Sequence, residues 1–205
     1  MKTKFLSLLT ISALVLGLST STYAATNNNS GKNNNEVSTV LPNISKINNI
    51  EIHGNVELYV SDGSSDQVKV YNRYYAENAL VQNQSGVLRI SSYSDQKLVV
   101  WVTAKELRSI TAYDDAQVKS FGKLSPIELN VNLHNNASAN LNLEVYSASI
   151  TLADHAKADL SGSANDLNLK HDIATSVNKY NFAAAHYTDN SKTKMSVSDM
   201  DLAVL

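Results

Sequence analysis

The fold is decided by three consecutive stretches: Leu107 to Pro126 (LRSITAYDDAQVKSFGKLSP), Ile127 to Ser147 (IELNVNLHNNASANLNLEVYS) and Ala148 to Asp166 (ASITLADHAKADLSGSAND). A fourth begins at Leu167 (LNLKHDIATSV). Each opens on an alternating apolar–polar strand and reaches a polar step: Asp114-Asp115, Asn135-Asn136, Asp154-His155, then Asp172. A small or apolar residue follows, Ala116, Ala137, Ala156 and Ile173, and alternation then resumes. Spacings of 21, 19 and 17 separate those four positions. A strand repeat of about 20 residues without a helix is the size of one coil of a β-solenoid.

Such a coil has one apolar face and cannot bury it alone, whereas stacked coils share a continuous core. The alanines fit corners where the wall bends, and Asp and Asn before them tolerate left-handed backbone and bond their own turn. Period two sends Ile127, Leu129, Val131, Leu133, Leu141 and Leu143 inward and Asn130, Asn132, Asn140 and Asn142 outward. A β-sandwich is the rival, but nothing requires a sandwich to repeat its turn residues in register.

Upstream, Ile50 to Ile52, Val56 to Val60 and Gln67 to Tyr71 alternate in the same way, separated by His53-Gly54-Asn55 and by Ser61 to Asp66. Ser85-Gly86 precedes the strand Val87 to Ile90. Lys97 to Val102 is apolar on both faces, which predicts a strand covered on both, with Trp101 in the core. Ala76 to Val81 has room for one helical turn. The expectation is an all-β chain: a right-handed, single-stranded parallel β-helix, or β-solenoid, with irregular coils of about 20 residues. It forms one domain over 37–205, with its repeat clearest over 107–177.

Ahead of it stands a different kind of sequence. Lys2 and Lys4, an apolar run from Phe5 to Leu18 and the small residues before Ala24 follow the order of a secretory signal peptide, cleaved after Ala24. The run is shorter than the roughly 18–20 residues that cross a bilayer, and no cysteine is present to carry a lipid anchor. Residues 25–36 include TNNNSGKNNNE, an Asn-rich stretch with nothing to bury, read as a flexible spacer. The chain is therefore expected to be exported to the periplasm or cell surface, with no membrane span and no lipid anchor.

Composition narrows the function. The 205 residues carry 17 Lys and Arg against 19 Asp and Glu, a formal charge of −2, and no cysteine. Losing residues 1–24 removes Lys2 and Lys4 and no acid, taking the charge to −4. Electrostatic nucleic-acid binding is excluded on that balance. Thiolate metal sites, disulfides and cysteine nucleophiles are excluded outright.

Ile47 to Val60, the Gly86 to Ile90 strand, Leu107 to Val118 and above all Ala158 to Leu169 (ADLSGSANDLNL) resemble the putative auto-transporter adhesin head family, the GIN domain. The resemblance runs in order from about Asn43 to Tyr187. It implies a right-handed parallel β-helix in an exported, typically bacterial envelope protein, and it supplies no catalytic residues. Members carry Gly-Ser-Gly-like turns, whereas here only Ser161-Gly162-Ser163 keeps such a triplet.

Residues that could carry chemistry are few. Stacking the repeats aligns Asp114, Asn135, Asp154 and His171 in one column and Asp115, Asn136, His155 and Asp172 in the next. Strands about 4.8 Å apart would bring Asp114, Asp154, His155, His171 and Asp172 within reach of a cation, and calcium is the one such columns could hold. The plainer reading makes them turn formers, and no cofactor is otherwise implied. His53, His134 and His186 have no partner at fixed spacing, and no nucleophile elbow is present. Tyr71-Asn72-Arg73-Tyr74-Tyr75 is the densest aromatic cluster; Tyr71, Arg73, Tyr74 and Tyr75 could stack on sugar rings or cover a flank of the solenoid. The expected role is non-catalytic binding of a surface glycan or envelope protein. A polysaccharide-acting enzyme and a purely structural envelope component are the alternatives. Met195 to Leu205 would cap the last coil or mediate self-association.

Overall fold

The computed structural model describes residues 38–42, 44, 46–71 and 79–191. Its regular structure is β throughout: β1 Ser38–Val40, β2 Asn49–Gly54, β3 Val56–Asp62, β4 Gln67–Tyr71, β5 Ala79–Gln84, β6 Val87–Ser92 and β7 Leu98–Ala104. The second half adds β8 Ser109–Ala112, β9 Gln117–Ser120, β10 Glu128–Leu133, β11 Ser138–Leu152, β12 Lys157–His171 and β13 Ser176–Ser191. No helix occurs among the described residues, and so none that could cross a membrane. Ala79 to Val81, read from sequence as part of a helical turn, lie in β5. The leader, the Asn-rich spacer and Met195 to Leu205 fall outside the described residues.

All thirteen strands join one curled sheet. The long strands show how it curls. Ser138 to Asn140 of β11 pair with β9, Ser147 to Leu152 of the same strand pair with β10, and Tyr146 stands exposed at the bend between. One wall therefore holds β6, β2, β8, β10 and the later part of β11. The other holds β7, β3, β9 and its earlier part.

Through the second half the pairing is parallel and regular. Ser109 lies beside Asn130, Asn130 beside Ser149, Ser149 beside Asn168 and Asn168 beside Thr188, steps of 21, 19, 19 and 20. This register corrects the fourth repeat as read from sequence. His171 lies beside Leu152 and Ser176 beside Lys157, so the corner after Asp172 is spaced by 19 and not 17.

Alternation explains the core. Leu88, Ile50, Ile110, Val131, Ile150 and Leu169 form one inward row across six strands, each at most 1% exposed. Each such side chain contributes about 1.5–3 kcal/mol by leaving water. Ala116, Ala137 and Ala156 sit fully buried at the corners, as their size requires. Ile127 departs from its expected inward place and is 77% exposed. It precedes β10 at a bend, where its carbonyl accepts from the Tyr146 and Ser147 N–H groups, and the bend rotates its side chain out.

The first half is not laid down in sequence order. β2 lies between β6 and β8, and β3 lies between β7 and β9. The coil formed by residues 87–104 is thus outside the earlier coil of residues 49–62, which joins directly to residues 109–120. The outer coil is closed by antiparallel strands: β5 on β6, and β4 then β1 on β7. These depart from a single-stranded, wholly parallel solenoid and leave the outer coil no open edge where they pair. At the other end β13 pairs with β12, and Val177, Phe182 and Ala184 pack half-covered against the core.

Candidate ligand-binding face

Two columns of side chains run across the strands, and they do different work. The first is made of the turn residues. Asp114, Asn135 and Asp154 take positive φ of 61°, 58° and 61° and share a register line with Gly54, φ 79°. Left-handed backbone is the conformation that Asp, Asn and Gly tolerate best. Each side chain caps its neighbour: Asp114 Oδ2 accepts from the Gly54 N–H at 3.0 Å, Asn135 Oδ1 from Asp114 at 3.3 Å, and Asp154 Oδ2 from Asn135 at 3.0 Å.

That ladder places the predicted metal candidates. Asp114 and Asp154 each spend a carboxylate oxygen on backbone, and Asn135 lies between them. His155 lies in the neighbouring column beside Asn136 and is exposed. His171 and Asp172 leave the columns altogether, because His171 shares its row with Leu152. His171 instead faces Asp189, Nε2 to Oδ1 at 3.3 Å, with the Thr175 hydroxyl 3.3 Å from Nδ1. Among the described residues no three His, Asp or Glu side chains converge as a metal site would need. Beside the ladder His53, Tyr113 and His134 stack face to face, at centroid distances of 4.5 and 4.8 Å. Sequence reading left these histidines isolated because β2 joins β8 across 60 residues.

The second column is aromatic and lies on the outer face of the other wall. Trp101, expected in the core, points outward from β7, half-buried between the fully buried Val100 and Val102. Lys97 to Val102 is therefore covered inside by the core and outside by its own aromatic neighbours, with no second layer. Tyr59 stands directly beside Trp101 on β3, rings 4.8 Å apart and 24° from parallel. Tyr71 of β4 lies 6.0 Å away, and Phe121, 60% exposed beyond β9, lies 5.0 Å away. Of the predicted aromatic cluster, Tyr71 joins this group; Arg73, Tyr74 and Tyr75 fall outside the described residues.

Charged groups hold Tyr59 in place. Glu57 Oε1 accepts from the Tyr59 hydroxyl at 2.8 Å and from Lys119 Nζ at 2.5 Å, and Lys97 lies 3.8 Å from its other oxygen. Lys119 also stands 5.5 Å from the centre of the Tyr59 ring. The Lys119 hydrogen bond is the main cause that holds the Glu57 carboxyl below the usual range, and the same bond raises Lys119. Lys69, directly opposite Trp101 on β4, adds a cation with no carboxylate in ion-pair range among the described residues. The result is a braced apolar platform rimmed by cations. Rings packed in this way present flat faces to the C–H surfaces of sugars or to apolar side chains.

The fold and this face define an all-β protein of stacked parallel coils with an outward aromatic platform. The chain belongs to the putative auto-transporter adhesin, head GIN domain family, which it matches over residues 46–198. No curated protein matches it. Among solved structures it is similar to a putative adhesin from Bacteroides fragilis, TM-score 0.68 at 13% identity, covering 76% of each chain. It is also similar to a putative adhesin from Parabacteroides merdae, TM-score 0.63 at 14% identity, covering 76% of this chain and 77% of that one. A putative lipid binding protein from Parabacteroides distasonis has TM-score 0.56 at 12% identity, covering 76% and 78%. At such identities the likeness is one of fold.

Proposed function

We propose that this protein is an exported, non-catalytic, adhesin-like binding protein of the bacterial cell envelope, and that Tyr59, Tyr71, Trp101 and Phe121 form its ligand face for a surface glycan. The observation that carries this reading is the platform itself. Tyr59, Tyr71 and Phe121 gather around Trp101 on the outside of a wall whose inside is already filled. A large aromatic left half in water is a cost that core packing does not explain. The family description and the basic, apolar and small-residue order of residues 1–24 support the envelope setting. We read the curl as a right-handed parallel β-helix, since strand–crossover–parallel strand connections take that hand almost without exception.

A glycan array probed with the wild-type chain and with Trp101→Ala tests the proposal. Glycan binding without product release, lost in the variant, is expected. Binding that survives the substitution would sink the assignment of the face, and release of cleaved sugar would sink the non-catalytic reading.

A further inference from the structure

We propose that the ligand of this face is an acidic polysaccharide, held as an extended chain that crosses the strands from Trp101 toward Asn178. The inference rests on the reading of the aromatic platform as a glycan site and goes on to the chemistry of the glycan.

Charge is the first support. The chain as a whole is net negative, yet the two register rows that run through Trp101 and Glu57 carry Lys69, Lys119 and Lys157, with Lys97 beside them, against Glu57 and Asp159. Glu57 is already spoken for by Lys119, Lys97 and the Tyr59 hydroxyl, and Asp159 accepts from the Asn178 amide at 3.2 Å. Lys69 and Lys157 make no ion pair among the described residues. A local excess of cations on an anionic protein selects an anionic partner and steers its approach.

Shape is the second. From Trp101 the outer row continues through Tyr59, Lys119, Asn140, Asp159 and Asn178, one residue per strand. Beyond Lys119 that row borders an open groove of about 280 Å³, lined by Ser138, Asn140, Lys157, Asp159 and Asn178 among others. Ala139 and Ala158, whose side chains are buried in the core, also border it. Strands repeat about every 4.8 Å, a spacing close to the length of one pyranose in an extended chain. A polymer can therefore set one sugar on each strand, its rings on Tyr59 and Trp101 and its amide and hydroxyl partners on Asn140 and Asn178. Acid groups meet the lysines.

The test uses the whole chain, a polyuronate, and the same polymer with its carboxyls reduced to alcohols. Binding to the polyuronate at least tenfold tighter than to its neutral counterpart is expected, weakening with added salt. Lys69→Gln should lose much of that preference, and Lys69→Arg should keep it. Affinity should rise with chain length from the disaccharide upward. Equal binding of charged and neutral polymers, with both lost in Trp101→Ala, would overturn the acidic inference and leave the glycan face standing. Failure of the polyuronate to bind would overturn the inference, and failure of every array glycan would take the glycan face with it. Disaccharide binding as tight as polymer binding would contradict the extended chain.

Discussion

The two halves of this molecule use the same alternating strands to different ends. Residues 107–191 stack in order, the turns at Asp114 and Asn135 are each capped by the Asn or Asp of the next coil, and polar rows such as Lys119, Asn140, Asp159 and Asn178 run across their outer face. Residues 49–104 fold back, so that a later coil lies outside an earlier one and antiparallel strands close the end. The aromatic platform sits mainly in this second arrangement, with Trp101, Tyr59 and Tyr71 brought together from β7, β3 and β4. Regular stacking gives every coil equivalent neighbours and builds a rod. Only the back-folding sets β7, with its tryptophan, between β3 and β4.

Substitutions should separate the halves. The largest effect is expected within the back-folded half. A Cβ on Gly54, at φ 79°, would lie 2.1 Å from the Ser92 carbonyl oxygen, so Gly54→Val should force β2 and β6 apart. We expect a loss of about 3 kcal/mol or more, read by urea denaturation. In the regular half Leu141→Ala should cost about 2–5 kcal/mol, with the same readout, because Leu141 is fully buried between coils. Asp154→Ala should cost about 1–2 kcal/mol by losing both the left-handed preference and the Asn135 cap, while Asp154→Asn keeps most of both. If Asp154→Ala is silent, the ladder is not what orders the coils.

The smallest effect is electrostatic and belongs to the back-folded half. Glu57 has a lowered carboxyl pKa, so its contribution is complete above the ordinary carboxylate range and is lost as pH falls through the lowered folded value. Wild type should lose up to about 1 kcal/mol more than Glu57→Gln over that acid range. Identical acid profiles for the two would remove Glu57 as the brace of the platform.

How much of this was legible follows from what period two encodes. Alternation says which side chains turn inward, and Leu129, Val131, Leu133, Leu141 and Leu143 are buried as read. It does not say which strand comes next, so the position of residues 87–104 outside residues 49–62 left no mark in the local pattern. Turn chemistry located Asp114, Asn135 and Asp154, each with left-handed backbone. It misled at Asp172, because Ile173 takes the register place of Asp154 without the positive φ. Trp101 was misplaced for a related reason. An apolar residue at an outward position looks like core until its neighbours Tyr59 and Phe121 are known, and these lie 42 and 20 residues away in the chain.

Trp101 is the only tryptophan in the chain, so its emission reports directly on the proposed face. Titration of the purified protein with a glycan that it binds should shift or quench that emission along a saturable curve, with the same midpoint as binding measured by calorimetry, and Tyr59→Ala should abolish both signals. Calorimetric binding with unchanged Trp101 emission would place the ligand elsewhere on the molecule and contradict the account.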